Sequence, residues 1–324
     1  SGVIYTAISR YLGPDEVSYI AADCDAQLFI TSAKYADVAA ELRRRILSDS
    51  AHPVRFLMVG APPGGLPEGF EPWDALVAGQ PTTPVADETC GMDMLYSSGT
   101  TGRPKGVVYS HRGAWTNAVN NVVTWALPHN PVYLWTLPLF HCNGWCFPWT
   151  ITMLAGTHVF LRAPRADVIY DAFADHGVTH LCGAPIIMSM ISDAEEKRGF
   201  PQKIKMMTAA APPPASVIKG MEAMGISITH VYGLTEVYGP AVVCAEKPGW
   251  AALPAEQQAE MKARQGVAYE LEEDVLVLDP ETGTPVPWNG KTLGEVVFRG
   301  NIVMKGYLKA PEETAKAFKD GWFW

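Results

Sequence analysis

The sequence predicts an α/β fold of layered, mainly parallel sheets flanked by helices, followed by a smaller antiparallel β unit. Up to about Pro240, short β-branched or aromatic runs alternate with amphipathic stretches, and several of those stretches start or stop at Pro or Gly. After Pro240 the rhythm changes to strand runs joined through a Gly-containing turn.

In chain order the strand expectations are Gln27–Thr31, Val54–Val59, Met92–Tyr96, Val132–Leu137, Thr157–Leu161, Thr179–Cys182, Ile204–Thr208 and Ile228–Tyr232. Apolar residues at three- and four-residue spacing predict helices over Lys34–Ser48, Ala114–Trp125, Ala166–His176, Pro185–Lys197 and Pro213–Met224. A polar helix over about Pro254–Arg264 leads into DVLVLDPETGTPV and GEVVFRG, which read as antiparallel strands. The organisation expected is an α/β region over residues 1–240 and a helix plus β-rich subdomain over 241–324. The Pro- and Gly-rich segment Gly60–Thr89 reads as a surface connection.

Composition removes several functional classes. A chain of 324 residues, 48% hydrophobic and 18% charged, is not that of a disordered protein. The formal charge is −9 and the one basic run, Arg43–Arg45, is short, so no nucleic-acid partner is expected. No apolar run has the length of a membrane span and the first residues lack a signal-peptide pattern, which makes the cytoplasm the expected compartment. Six scattered cysteines read as reduced thiols. Cys142 and Cys146 beside His141 lack the second ligand pair of a structural zinc site, so apolar-facing thiols are the preferred reading.

The first chemical signal is the run Tyr96–Gly106, YSSGTTGRPKG, directly after a predicted strand. Its glycines, Gly99 and Gly102, let backbone approach an anion. Ser97, Ser98, Thr100 and Thr101 can donate to phosphate oxygens, and Lys105 adds a mobile positive charge. The usual NTPase pattern G-x-x-x-x-G-K-[ST] is absent. A Gly/Ser/Thr surface loop is the competing reading; the place after a strand and the lysine favour polyphosphate.

The second signal is His230–Glu236, HVYGLTE, at the end of another predicted strand, where open α/β sheets place ligands. A carboxylate beside a hydroxyl can hold Mg2+ against phosphate oxygens and an aromatic can cover a purine, whereas a strand-to-loop turn with a solvated Glu236 is the bland alternative. The third is Thr208–Pro214, whose small residues could let a flat ring lie on the backbone. The fourth is Pro138–Trp149, PLFHCNGWCFPW; a helix there would put His141 and Trp145 on one face.

SSGTTGRPKG resembles the signature of the adenylate-forming superfamily of acyl-CoA synthetases, peptide-synthetase adenylation domains and luciferases. The resemblance implies that Ser97 to Gly102 and Lys105 hold the phosphates of ATP. It also implies that Ala210, Ala211 and Pro212 wall the adenine site, where many relatives carry glycine at Ala209 or Ala210. Tyr232 and Gly233 border the adenine, Thr235 the phosphates, and Glu236 holds Mg2+. Within the superfamily, FHCNGWCFPW, THLCGAP and GNIVMKGYLKAPEETAKAF look most like short- and medium-chain fatty acyl-CoA ligases of the 3-methylmercaptopropionyl-CoA ligase type. That resemblance implies His141 at the reacting carboxylate, Trp145 in the acyl pocket, and Gly183, Ala184, His230 and Val231 along the acyl channel.

The implied reaction converts a small carboxylic acid and ATP to an acyl-adenylate and then, with CoA, to acyl-CoA. His141, Thr235, Glu236 and Lys105 are the expected catalytic set, and a homodimer is an assembly the resemblance allows. Resembling enzymes continue past GWF with a Thr-Gly-Asp element, a hinge and a small C-terminal domain, so this chain is expected to be the large N-terminal domain, cut at both ends. Adenylation feeding a carrier-protein thiol and a non-catalytic nucleotide-binding module are the alternative functions.

Overall fold

A computed structural model describes residues 2–97, 102–195 and 197–324. The chain forms two compact units, Ser1–Val108 with Tyr307–Lys309, and Tyr109–Gly306 with Ala310–Trp324.

In the first unit, the strands Leu28–Ser32, Arg55–Val59 and Glu71–Pro72 form a parallel sheet in that order. Helix Ala36–Asp49 buries Ala39, Leu42 and Ile46, residues at three- and four-residue spacing, and Ala39 and Ile46 join Ala21, Val54, Phe56, Met58 and Phe70 in one core. Phe56 meets Phe70 edge-on with ring centroids 5.4 Å apart. The strand expected over Met92–Tyr96 divides in two: Met92–Asp93 pairs with Ile4–Tyr5, and Leu95–Ser97 pairs antiparallel with Lys105–Val108.

The second unit is built on a seven-stranded sheet. From one edge its order is Val267–Ala268, Gly239–Val243, Ile226–Leu234, Ile204–Thr208, His180–Gly183, Val132–Trp135 and Thr157–Phe160. The last five run parallel and the first two antiparallel. His180–Gly183 and Ile204–Thr208 are almost wholly buried, as a strand covered on both faces must be. On one face, Leu181, Ile204, Met206, Ile226 and Ile228 pack with Phe173, Met188, Ile191, Ile218 and Met221 from the flanking helices. On the other, Tyr133 stacks on Phe147 at 5.0 Å and Trp125 meets His180 edge-on at 5.0 Å. Beyond the large sheet, Asp274–Leu278, Glu295–Arg299, Trp322–Phe323 and Phe318–Lys319 form a four-stranded antiparallel sheet. The α/β class and the late antiparallel strands are as the sequence predicts.

Element ends differ for local reasons. The Ala114–Trp125 helix starts earlier, at His111, because the Ser110 hydroxyl accepts from the Gly113 amide at 2.9 Å and caps it. The helix expected to reach Lys197 stops at Ser192, where the Lys197 ammonium donates to the Ser192 carbonyl at 2.7 Å.

One buried group is expected to make this unit acid-sensitive. His180 is 3% exposed, and its Nε2 has no hydrogen-bond partner among the described residues. Burial, with Lys205 nearby, pushes its pKa down from 6.5 to about 4. The folded state therefore holds a neutral imidazole where the unfolded chain takes a proton. The resulting stability is fully present above the ordinary value and is lost as the pH falls from there towards the folded one, up to about 3 kcal/mol. Urea unfolding between pH 7 and pH 4 is expected to show this loss, and His180→Gln to flatten the slope; an unchanged slope in the variant would place the acid sensitivity elsewhere.

Candidate active site

The expected phosphate loop is the connection of a hairpin. Ser97 pairs with Lys105, Tyr96 with Gly106 and Leu95 with Val107, so the sequence reading missed the return strand that begins at Lys105. Ser98, Gly99, Thr100 and Thr101 lie outside the described residues. The hairpin is braced at its base. The Tyr96 hydroxyl is 2.5 Å from an Asp23 carboxylate oxygen, and the Leu308 amide donates to the Gly106 carbonyl at 2.7 Å. The Lys105 ammonium lies 4.6 Å from the Tyr307 ring centroid, a cation–π contact that holds it without neutralising its charge.

In the larger unit, four segments leave the carboxyl ends of neighbouring parallel strands. They are the run to His141 after Trp135, Gly183–Ala184, the Thr208–Pro214 turn, and Tyr232–Glu236. Pairing of Gly183 with Thr208 and of Thr208 with His230 sets three of them in register. This is where parallel α/β sheets hold ligands.

Thr235–Val237 is a single 3-10 turn between Ile226–Leu234 and Gly239–Val243. At Gly233 an added Cβ would stand 1.8 Å from the Gly239 carbonyl oxygen, so only glycine fits. The turn is pinned through its backbone. Tyr109 donates its hydroxyl to the Thr235 carbonyl at 2.7 Å and stacks on Tyr238 at 4.0 Å, and the Met304 amide donates to the Glu236 carbonyl at 2.8 Å. Tyr232 is half-buried with its ring 6.2 Å from Phe298, and burial raises its phenol pKa.

The HCNGWC segment corrects the helical expectation. Cys142, Asn143, Gly144, Trp145 and Cys146 all have positive φ, 42° to 64°, which makes a left-handed turn. The shared-face argument for His141 and Trp145 therefore fails. Gly144 is obligatory, because a Cβ would lie 2.5 Å from the Trp135 ring. Trp145 is 7% exposed, while His141 stands exposed at the start of the turn against Phe140, ring centroids 4.7 Å apart. Partial desolvation by the surrounding protein lowers the His141 pKa, which favours neutral imidazole at neutral pH.

This turn lies directly on the Thr235 turn. The Cys142 thiol is 3.7 Å from the Thr235 hydroxyl oxygen and the Cys146 thiol 3.7 Å from the Tyr238 carbonyl. The Trp149 indole donates to the Tyr238 hydroxyl at 3.0 Å. The structure thus brings His141, Trp145, Thr235 and Glu236 into neighbouring segments. His230 and Val231 are 1% exposed, and the His230 Nδ1 lies 2.9 Å from the Arg264 carbonyl and 3.1 Å from that of Ala263. That ring is an internal anchor rather than a group facing the strand-end loops.

Sequence reading missed what holds these turns. Helix His111–Trp125 carries three fully buried asparagines, of which Asn117 and Asn121 donate to these turns and Asn120 accepts from the Leu271 amide. Their spacing of three and four on one helical face was the available signal, since Asn is a poor interior helix residue.

A large sheet with strand-end loops of this kind is an α/β domain that offers a ligand site at the carboxyl ends of its strands, and comparison with known proteins gives its family. The AMP-binding enzyme family matches residues 1–308, and the chain belongs to that family. It is 49% identical over 256 residues to the peroxisomal acetate/butyrate–CoA ligase AAE7 of Arabidopsis thaliana, covering 77% of this chain and 45% of the relative. It is 46% identical over 243 residues to the acetate–CoA ligase CCL3 of Humulus lupulus, covering 74% of this chain and 43% of that protein. A third relative, probable acyl-activating enzyme 6 of Arabidopsis thaliana, is 41% identical across the whole chain, which spans 60% of its length. Among solved structures, the inhibitor-bound N-terminal domain of FACL13 from Mycobacterium tuberculosis superposes with a TM-score of 0.79 at 26% identity, covering 99% of this chain and 75% of that one.

Ala210 holds φ +76° in the turn after Ile204–Thr208, a left-handed conformation that costs a non-glycine residue about 1–2 kcal/mol. Ala210→Gly relieves that strain at an entropic cost of about 0.5–1 kcal/mol and is expected to leave stability unchanged or slightly raised. Gly144→Ala is expected to lower the melting temperature, because it meets both a positive φ and the Trp135 ring. Thermal unfolding of the two variants checks the opposite signs.

Proposed function

We propose that this domain belongs to an enzyme that activates a short-chain carboxylic acid with ATP and passes it to CoA. The observation that carries the reading is the packing of the His141 turn on the Thr235–Glu236 turn, 3.7 Å apart at Cys142 and Thr235. A segment bearing an imidazole suited to a carboxylate thereby adjoins one bearing a hydroxyl and a carboxylate suited to a metal–phosphate. The printed names of the relatives AAE7 and CCL3, acetate/butyrate–CoA and acetate–CoA ligases, support the acid class and the thiol.

In the first half-reaction the acid's carboxylate oxygen attacks the α-phosphorus of ATP and pyrophosphate leaves. Neutral His141 orients the carboxylate through one ring N–H, and the Thr235 hydroxyl donates to a phosphate oxygen. The proposal gives Lys105, with Ser97 to Gly102, to the phosphates, and Ala210, Ala211, Pro212, Tyr232 and Gly233 to the adenine. Glu236 fits Mg2+, which is usually held by one or two carboxylates together with substrate phosphates. The ion would neutralise charge on those phosphates. In the second half-reaction the CoA sulfur attacks the acyl carbonyl carbon and AMP departs with the electron pair of the broken C–O bond. Trp145, Gly183 and Ala184 are assigned to the acyl side. Val231 is assigned with them, while His230 is not, because its Nδ1 faces the Ala263 and Arg264 carbonyls.

A cytoplasmic location and a homodimer remain part of the proposal; fluorescent tagging and light scattering test them, since the AAE7 relative is named as peroxisomal.

Pyrophosphate exchange by the full-length protein is expected with acetate and butyrate, with acyl-CoA forming on addition of CoA. Exchange without acyl-CoA, but with loading of a carrier protein, would move the second half-reaction to that acceptor. Glu236→Gln is expected to lower exchange on the order of 10²-fold at an unchanged melting temperature. An unaltered rate at limiting Mg2+ sinks the metal assignment. Trp145→Ala is expected to shift preference from acetate towards octanoate with little change in the KM for ATP, whereas an equal fall on every acid with a large melting shift would make Trp145 purely structural.

A further inference from the structure

We propose that Asn117 and Asn121 are positioning residues for acid activation, holding the His141 turn and the Thr235–Glu236 turn at a fixed separation from one helix face. The inference rests on the functional reading above and adds two residues to it.

The Asn121 amide nitrogen donates to the Trp145 carbonyl at 2.9 Å, inside the left-handed turn, and lies 3.3 Å from the Thr150 hydroxyl. Thr150 returns to the same turn, donating to the Cys146 carbonyl at 3.0 Å. One helical turn away, the Asn117 amide nitrogen donates to the Tyr238 carbonyl at 2.9 Å, where the Thr235 turn ends. A carbonyl can only accept, so in both asparagines the NH2 group must face it.

Both side chains are 0% exposed, and both amide oxygens lack a hydrogen-bond partner among the described residues. Leaving a buried acceptor unsatisfied costs stability. Each asparagine is therefore retained for its donor. Side chains four apart on a helix sit about 5–6 Å apart. That spacing is transferred to the two carbonyls, and through them to His141 on one turn and Thr235 and Glu236 on the other. The acid and the phosphate it attacks then depend on a separation fixed by the helix.

Asn120 is an internal control. It is equally buried on the same helix, but its amide oxygen accepts from the Leu271 amide at 2.8 Å, and among the described residues it makes no hydrogen bond to either turn. Loss of Asn120 reports what removing a buried asparagine does to the fold alone.

The test compares Asn117→Ala, Asn121→Ala, Asn121→Ser and Asn120→Ala in the full-length protein. Pyrophosphate exchange with acetate and butyrate is measured at a fixed interval below each melting temperature. Hydrogen–deuterium exchange is followed over residues 141–150 and 235–240. We expect Asn121→Ala to lower kcat/KM for the acid at least tenfold with the KM for ATP within about twofold, Asn121→Ser to fall between, and Asn120→Ala to stay within about threefold. We expect faster amide exchange over 141–150 in Asn121→Ala and over 235–240 in Asn117→Ala. If Asn121→Ala does not fold, Asn121→Ser and Asn117→Ala carry the comparison. Activity that tracks the melting temperature across all variants, or amide exchange unchanged in both segments, overturns the proposal. A wild-type protein inert towards every acid would remove the functional reading, and the amide-exchange comparison would still decide whether the two asparagines position the turns.

Discussion

A carbonyl oxygen shut away from water needs a donor, and in the larger unit the carbonyls of Trp145 and Tyr238 find theirs on a single helix face. Much of the local architecture depends on this requirement. Apolar side chains at those positions would take the amide donors from both carbonyls, leaving that of Tyr238 to the weaker Cys146 thiol, so the helix carries asparagine there at a cost in helix propensity. Its start is secured independently by the Ser110 cap and by the close approach of Gly113 to Asn301, where a Cβ would stand 2.7 Å from a carbonyl oxygen. The helix is thus fixed in position as well as chemistry.

The left-handed turn is the element most in need of that support. Four of its five residues carry a Cβ, and each non-glycine residue in this conformation costs about 1–2 kcal/mol. Such strain persists only where surroundings over-determine it. Here they do so from several sides. Asn121 and Thr150 hold its carbonyls, the Trp135 ring closes over Gly144, and the Trp145 backbone lies against Gly239, where an added Cβ would come within 3.0 Å of the Trp145 Cα. The two glycines of the neighbouring strands, Gly233 and Gly239, let backbone meet backbone without intervening side chains. The two turns are consequently in close contact, backbone against backbone.

Sequence legibility follows the range of the interactions. The parallel sheet was readable because fully buried strands such as His180–Gly183 and Ile204–Thr208 need continuous apolar runs, and flanking helices need a three- and four-residue apolar period. The Tyr232–Glu236 turn was readable as a strand end bearing polar groups. The return strand from Lys105 was not, because KGVV is too short for a periodic pattern and its pairing with Leu95–Ser97 spans the connecting loop. The left-handed conformation of Cys142–Cys146 was illegible for another reason. Gly144 and Asn143 accept positive φ readily, but Cys142, Trp145 and Cys146 do not, so the run as a whole depends on tertiary contacts with Trp135, Asn121 and Gly239. The asparagines did leave a local trace, NAVNN in an otherwise amphipathic helix, but their partners lie 24 to 151 residues further along the chain.

The electrostatics of His141 bear on how an acid could be handled there. Its cation is disfavoured by desolvation, so at neutral pH the ring offers one N–H donor and one acceptor rather than a positive charge. A carboxylate held by a neutral donor keeps more of its negative charge than one paired with an imidazolium, and so remains a better nucleophile towards phosphorus. The same neutrality avoids placing a fixed positive charge beside the segment that bears Glu236, where an imidazolium would compete with a metal ion for the carboxylate. Thr235 contributes a neutral hydroxyl on that side as well. In the proposed reading the polar groups on these two adjoining turns divide their tasks: His141 and Thr235 would supply direction, while Glu236 would hold the metal that neutralises phosphate.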